Sequence, residues 1–281
     1  MSGEKLRLPR TSVHTHTTFC DGENTPAEMA AAAKRAGLGT LGFSVHAYVP
    51  QEDFGLPPAR MGEYCAEIHR LQSEYEGELE ILCGIELDTQ TPPEQLEQAK
   101  KLDYRIGSCH AVQDAAGRFW TVDDTPELFD ACIREGFDGD PMAMARAYYE
   151  QFVPWVGRLG PEIVGHLDLI SKFNRGGRFF DEESPRYRSL CLEAVEGILR
   201  SDLVLEVNTG AIGRGWQDRP YPSAFLLRRI REVGGRVTVT ADAHSAAGLT
   251  CWFDEALALL RQIGFGSIWE LTAQGWVEEA I

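Results

Sequence analysis

The chain has 281 residues, 43% of them hydrophobic and 25% charged, a balance that allows a sizeable core and excludes large-scale disorder. Its formal net charge of −16 disfavours nucleic acid and anionic membranes as partners, and no Lys/Arg-rich run reverses that locally. No apolar run reaches the roughly 18–20 residues that span a bilayer, the first ten residues are polar without a signal core, and seven scattered cysteines with no CxxC pair suggest neither a disulfide framework nor a zinc ribbon; a cytoplasmic protein is expected.

The first predicted strand, Ser12–His16, carries an HTH pair. Residues two apart in a strand point to one side, so His14 and His16 can share an ion, and Asp21 follows in HTHTTFCDG. Thr25 then reads as the N-cap of a helix over Pro26–Ala36, with Pro at its first position and Gly37 at its stop. A second strand, Leu41–His46, ends on His46. Apolar spacing predicts a helix over Ala59–Tyr75, which places His69 on a helix surface. In the strand Leu79–Leu87 the apolar run ILCGIE closes on a lone carboxylate, Glu86. A buried Glu is costly unless paired or metal-bound, so Glu86 is a candidate ligand, and a carboxylate can bridge two ions. The strand Arg105–His110 ends on His110. The polar, Gly- and Asp-rich segment Gln113–Asp140 follows a strand end and is the expected lid, with a helix over Pro126–Arg134 that stops near Gly136. Next come a helix over Met142–Val156, the strand Ile163–Leu167 with His166 and, two residues on, Asp168, and a helix over Pro185–Leu199. The strand Leu203–Asn208, a helix over Ser223–Val233 closed by Gly234, and the strand Arg236–Ala241 lead to the alternating pair Asp242 and His244, and a helix over Asp254–Ile263 completes the pattern.

Seven strand–helix repeats without a linker predict an α/β fold with a parallel sheet in a single domain over 1–281. Six of the seven histidines sit at or just past a strand end, and parallel barrel strands all direct those ends to one mouth. Six imidazoles, two aspartates and Glu86 are too many for one ion with about four ligands, but suit two or three. The mixed donors accept Zn, Mn or Fe. Bound metal ions would supply the positive charge that lets an acidic protein hold a small anion. Lys172, Arg175, Arg178 and Arg214, in SKFNRGGR and GAIGRGW, each follow a strand end and are candidates for contacting such an anion. Asn208 either orients a ligand or bonds locally.

The ordered blocks HTHTTFCDG, SVH, GIE, SCH, GHLD and TADAHS resemble the PHP (polymerase and histidinol phosphatase) phosphoesterase superfamily over nearly the whole chain. HTHTTFCDG, GHLDLI and EVNTGAIGRGWQDRPYPS are similar to its histidinol-phosphatase branch. The resemblance implies a distorted (β/α)7 barrel with a trinuclear centre. His14, His16, Glu86 and Asp242 would hold a first metal, Asp21, His46 and His244 a second, and Glu86, His110 and His166 a third, with Glu86 bridging. It also implies hydrolysis of L-histidinol phosphate in histidine biosynthesis, by attack of a metal-bridging hydroxide on phosphorus. The segments LDTQTPPEQ after GIE and AVQDAAGRFW after SCH depart from that branch and bear on substrate identity, so another small phosphate ester is the first alternative. A non-catalytic metal-binding protein of the same fold would lack ligands, and none is missing. A DNA exonuclease needs a cationic track with stacking aromatics, whereas the tryptophans here are dispersed. The site chemistry also permits amide or carboxyl-ester hydrolysis, against which the resemblance argues.

Overall fold

The computed structural model describes residues 10–281; all but the last of the ten polar N-terminal residues lie outside them. From β1 (Thr11–Ser12) the chain runs through α1 (Pro26–Ala36), β2 (Thr40–Phe43), α2 (Met61–Glu74), β3 (Glu80–Asp88), α3 (Pro93–Ala99) and β4 (Tyr104–Ser108). The hairpin of β5 (Ala111–Gln113) and β6 (Phe119–Thr121), α4 (Pro126–Ala131) and a short π-helix over Cys132–Gly136 follow, then α5 (Pro141–Leu159), β7 (Ile163–Val164), α6 (Pro185–Leu199) and β8 (Val204–Asn208). The last third holds α7 (Gly210–Gly213), α8 (Ala224–Glu232), β9 (Arg236–Thr240), α9 (Phe253–Ile263) and the hairpin of β10 (Ser267–Thr272) and β11 (Gly275–Ala280).

Seven strands form one parallel sheet in the order β1-β2-β3-β4-β7-β8-β9. Its two ends meet where Thr15 bridges Ala243 in parallel, His16 N donating to the Ala243 carbonyl at 2.8 Å and Ala243 N to that of His14 at 3.0 Å. The sheet is thus a distorted (β/α)7 barrel, as the family resemblance implies. Its seam is made by the two alternating pairs His14/His16 and Asp242/His244, so closing the barrel also brings these four side chains together. At the other end of the seam, β10 packs against both β9 and β1, and Leu271 joins Val13, Leu82, Tyr104, Ile106 and Ile163 in a small apolar cluster. Alternation along β3 places Leu82, Gly84 and Glu86 on one face, so one strand runs from this apolar cluster to the polar mouth. A Cβ on Gly84 would stand 2.3 Å from the Tyr104 ring; glycine is what lets that ring lie across the strand. The main apolar core, from Met29 to Ile268, fills the space between sheet and helices.

The helices begin and end for local reasons. Thr25 and Glu28 form a capping box on α1, and Gly37 closes it in the left-handed conformation (φ 77°). Asp140 caps α5 by accepting from Met142 N and Ala143 N. The predicted strands are longer than the observed ladders at four places that carry site residues, the ends at His16, His46, His110 and His166. Beyond Ser12 the Thr15 amide donates to the Ser44 hydroxyl rather than to a neighbouring strand. His46 leaves β2 and rejoins the sheet by a single bridge to Glu86. The His166 amide donates to the Glu206 carboxylate, which ends β7. The His110 amide likewise donates to the Asp88 carboxylate, so at Thr15, His110 and His166 a side chain at the mouth has replaced a ladder bond.

Four elements were not expected from the sequence: α3, α7 and the two hairpins. The segment expected as a lid, Gln113–Asp140, is instead a packed wall. It holds β6, α4 and the π-helix, and buries Trp120, Val122, Phe129, Cys132 and Ile133. Among the described residues no helix is long and apolar enough to cross a membrane, and all seven cysteines are free thiols.

Candidate metal centre

The barrel brings nine side chains named from the sequence to one place. Glu86 lies at the centre, 1% exposed. Its Oε2 is 3.3 Å from His14 Nε2, 3.5 Å from His16 Nε2 and 2.9 Å from His46 Nδ1, while its Oε1 is 3.0 Å from His166 Nε2 and 3.4 Å from His110 Nε2. Asp242 Oδ1 faces His16 Nε2 at 3.1 Å and His14 Nε2 at 3.7 Å. Asp21 stands 3.2 Å from His244 Nε2 and 3.7 Å from both His46 Nε2 and His16 Nδ1. Three overlapping sets therefore offer donor atoms within 4.8 Å of one another: His16, Asp21, His46 and His244; His14, His16 and Glu86; and His46, Glu86 and His110. His69, by contrast, is an exposed residue of α2, away from the cage.

A second layer of groups fixes these rings. Glu206, 1% exposed, accepts from His14 Nδ1 at 2.7 Å and from the Thr240 hydroxyl at 2.8 Å, and its other oxygen accepts from His166 N and Asn208 Nδ2. Asp88 Oδ2 accepts from His110 N at 2.8 Å and lies 3.2 Å from His110 Nδ1. His244 Nδ1 reaches the Asp242 carbonyl at 3.0 Å. Carboxylates and carbonyls placed behind imidazoles fix which nitrogen faces forward. Neither Glu206 nor Asp88 was singled out from the sequence, yet both carried a signal. Glu206 is a lone acid in the apolar run LVLEVN, and Asp88 lies two residues beyond Glu86 on the same face of β3.

The donor atoms themselves are left over. His14 Nε2, His16 Nε2 and Glu86 Oε2 are buried and make no aligned hydrogen bond, although they face one another at 3.3–3.5 Å. Orphaned buried polar atoms are costly, and three of them converging with carboxylates fit a bound cation. Burial pulls the His16 imidazole down to about 3, helped by neighbouring His244 and His46. Burial acts the same way at His14, His46 and His110, but the carboxylates facing them outweigh it and hold these rings above the usual histidine range. Burial would raise the carboxyls of Glu86, Asp21 and Asp242; the surrounding imidazoles, and Arg214 at Asp242, hold them low instead. The acids of the cage are ionised, as ligands must be.

A cavity of about 1260 Å³ opens over the cage, lined by Asp21, His46, His110, His166, Asp242 and His244 and by the cations Lys172 and Arg214. Arg214 donates to the Asp242 carbonyl at 2.9 Å and to its Oδ2 at 3.0 Å, and lies 2.9 Å from His244 Nδ1. Lys172 is held by the Asp123 carbonyl and carboxylate. The other candidates for phosphate contact lie elsewhere. Arg175 is exposed and pairs with Asp218 at 3.2 Å, and Arg178 lies over the Phe179 ring; a flexible side chain in a loop takes the nearest partner, whichever strand end precedes it. Asn208 bonds locally, donating to Glu206 and accepting from Gly210 N. Asp168 accepts from Ser223 N and pairs with Arg219, outside the cage. A cavity cation missed in the sequence is Arg118, stacked on Trp120 at 3.6 Å.

A closed parallel barrel with imidazoles and carboxylates gathered at its C-terminal mouth defines the class, an α/β-barrel protein with a candidate metal site at that mouth. The sequence pattern of the PHP domain family matches residues 12–210, and the chain belongs to that family. It is 31% identical over 263 residues to the "Probable histidinol-phosphatase" of Deinococcus radiodurans, covering 89% of this chain and 92% of that one. To the "Histidinol-phosphatase" of Bacillus subtilis it is 27% identical over 253 residues, or 83% and 92% of the two chains. The crystal structure of histidinol phosphate phosphatase from Lactococcus lactis, complexed with zinc, L-histidinol and phosphate, has the same fold, with a TM-score of 0.69 at 22% identity over 96% of this chain and all of that one.

Proposed function

We propose that the chain is a metal-dependent phosphomonoesterase that hydrolyses L-histidinol phosphate to L-histidinol and phosphate, and so acts in histidine biosynthesis in the cytoplasm. The observation that carries this reading is the set of buried, unpartnered donors (His14 Nε2, His16 Nε2 and Glu86 Oε2) at the floor of a cavity whose wall presents Arg214 and Lys172. The full-length similarity to histidinol phosphatases supplies the substrate. His14, His16, Glu86 and Asp242 would hold one ion, Asp21, His46 and His244 a second, and Glu86, His110 and His166 a third. The zinc in the Lactococcus structure makes zinc the first choice, and the donor set also accepts Mn or Fe. Bound divalent ions supply positive charge for the phosphate oxygens and an activated water near neutral pH.

The chain's own groups do the rest. Glu206, Asp88 and the Asp242 carbonyl hold the rings of His14, His110 and His244 in place. The packed wall of Gln113–Asp140 forms one side of the cavity through Arg118, Trp120 and Asp123. Arg214 adds a fixed cation beside the cage. Arg214→Ala is expected to lower turnover by about 100-fold, the size of a lost transition-state donor, with metal content retained. Parallel loss of metal would reduce Arg214 to a brace for Asp242.

The substrate reading is tested by metal analysis of the purified protein together with phosphate release from a panel of phosphate esters. Two or three divalent ions per chain and a clear preference for histidinol phosphate are expected. A preference for some other monoester would displace histidinol phosphate, and absence of bound metal would remove the chemistry.

A further inference from the structure

Beside the cage the cavity has a small recess lined by Glu52, Phe54, Asp88 and Gln90 together with the cage residues His46, Glu86 and His110. Its free space is about 10 Å³, room for one group the size of a water molecule. Two acceptors point to what fills it. Gln90 Oε1 is buried and accepts no hydrogen bond, although the backbone of Gln90 is fixed by its N–H donating to Asp88 Oδ1 at 2.8 Å. Glu52 has no cationic partner among the described residues. The other acids nearby are taken, Glu86 by the cage imidazoles, Asp88 by His110 and Asp123 by Lys172. Burial disfavours the charged form of the Glu52 carboxyl, and a counter-charge in the recess would offset that cost. An unpartnered acid and an unpartnered amide oxygen around a water-sized space call for a compact cation with several donors and no acceptor. A primary ammonium is that group; a guanidinium is too large.

The position fits as well as the chemistry. In the phosphate ester of a 2-amino alcohol, the amine is four bonds from phosphorus, so its acceptor must adjoin the cage, and His46 and His110 line both. We propose that the recess is a primary-ammonium subsite, in which Glu52 and Gln90 receive the amino group of a phosphorylated amino alcohol whose phosphate rests on the cage. The assignment rests on the phosphatase reading above and deepens it: Glu52 becomes a specificity-determining residue that separates cationic esters from neutral ones of the same shape.

The experiment compares kcat/KM for histidinol phosphate with that for its deamino analogue, in the wild-type chain and in Glu52→Gln. The wild type should favour the amine, and Glu52→Gln should lower that ratio by about 10- to 100-fold, the usual weight of a hydrogen bond to a charged group. Calorimetry with free L-histidinol, which carries the amine without the phosphate, should show a matching loss of affinity. An unchanged ratio, or equal losses on both esters, would overturn the proposal and leave the recess to a water. Should the wild type hydrolyse other monoesters but not histidinol phosphate, the substrate reading falls by itself. The same ratio is then read with 2-aminoethyl phosphate against ethyl phosphate, where a shift in Glu52→Gln supports the subsite and no shift overturns it.

Discussion

Glu86→Gln is expected to abolish most phosphate release, by about 1,000-fold or more, and to lower the number of metal ions bound per chain. One carboxylate faces five imidazoles, three across Oε2 and two across Oε1. No other acid in the cage is so placed, so no other can join the sets of donors on its two sides. The glutamine has the same shape but loses the charge, and one of its two positions becomes an NH₂ that can only donate. Whichever way the amide turns, two or three ring nitrogens meet a donor where they met an acceptor. A Lewis-acid contribution of several kcal/mol depends on the ions this group holds, which sets the size of the expected loss. Metal analysis and phosphate release on the same preparation check it; a Glu86→Gln protein with full metal and ordinary turnover would show that Glu86 holds nothing.

A second large effect is expected away from the ligands. Glu206→Ala should destabilise the fold by about 3–5 kcal/mol, the cost of removing one partner from a buried charged network, and Glu206→Gln should lower metal affinity or activity by about 10- to 100-fold, as other groups that orient metal-binding histidines do. Four donors from separate strands and turns converge on this carboxylate: His14 Nδ1, the Thr240 hydroxyl, His166 N and Asn208 Nδ2. Alanine leaves all four buried without an acceptor. Glutamine can satisfy only one side. If its NH₂ faces His14, the ring must present a bare Nδ1, and its proton moves to Nε2, the nitrogen that faces Glu86 and Asp242. Thermal unfolding and metal titration read the two effects separately. Equal stability of Glu206→Ala and the parent chain would refute the bracing role.

These two glutamates show how far residue patterns reach. Both are lone acids in apolar strands, ILCGIE and LVLEVN, and both are buried. The rule that a buried carboxylate needs a partner picks out each of them. It does not say that one faces five ring nitrogens while the other accepts from a ring, a hydroxyl and a backbone amide behind them. That difference depends on the stagger between neighbouring strands. In register, Glu86 lies beside Ile106 on β4, whereas Glu206 lies beside Thr238 on β9. Asp88 was within reach of simple alternation from Glu86, but its role depends on His110 arriving from the next strand. The loop cations show the converse. Lys172, Arg175, Arg178 and Arg214 all follow strand ends, yet only Lys172 and Arg214 line the cavity, because side-chain direction in a loop is chosen by nearby partners and not by chain position.

Local periodicity was enough to determine the number of parallel strands, most helix boundaries and the residue types at the mouth, since each of these depends on contacts within a few residues or on one strand's two faces. The cage itself was decided only by closure of the barrel. Thr15 and Ala243 are paired across nearly the whole chain, and that single bridge sets His14 and His16 against Asp242 and His244. The recess at Glu52 and the wall of Gln113–Asp140 are likewise products of packing between distant segments, where the free energy of excluding water from several surfaces at once acts and no local pattern records it.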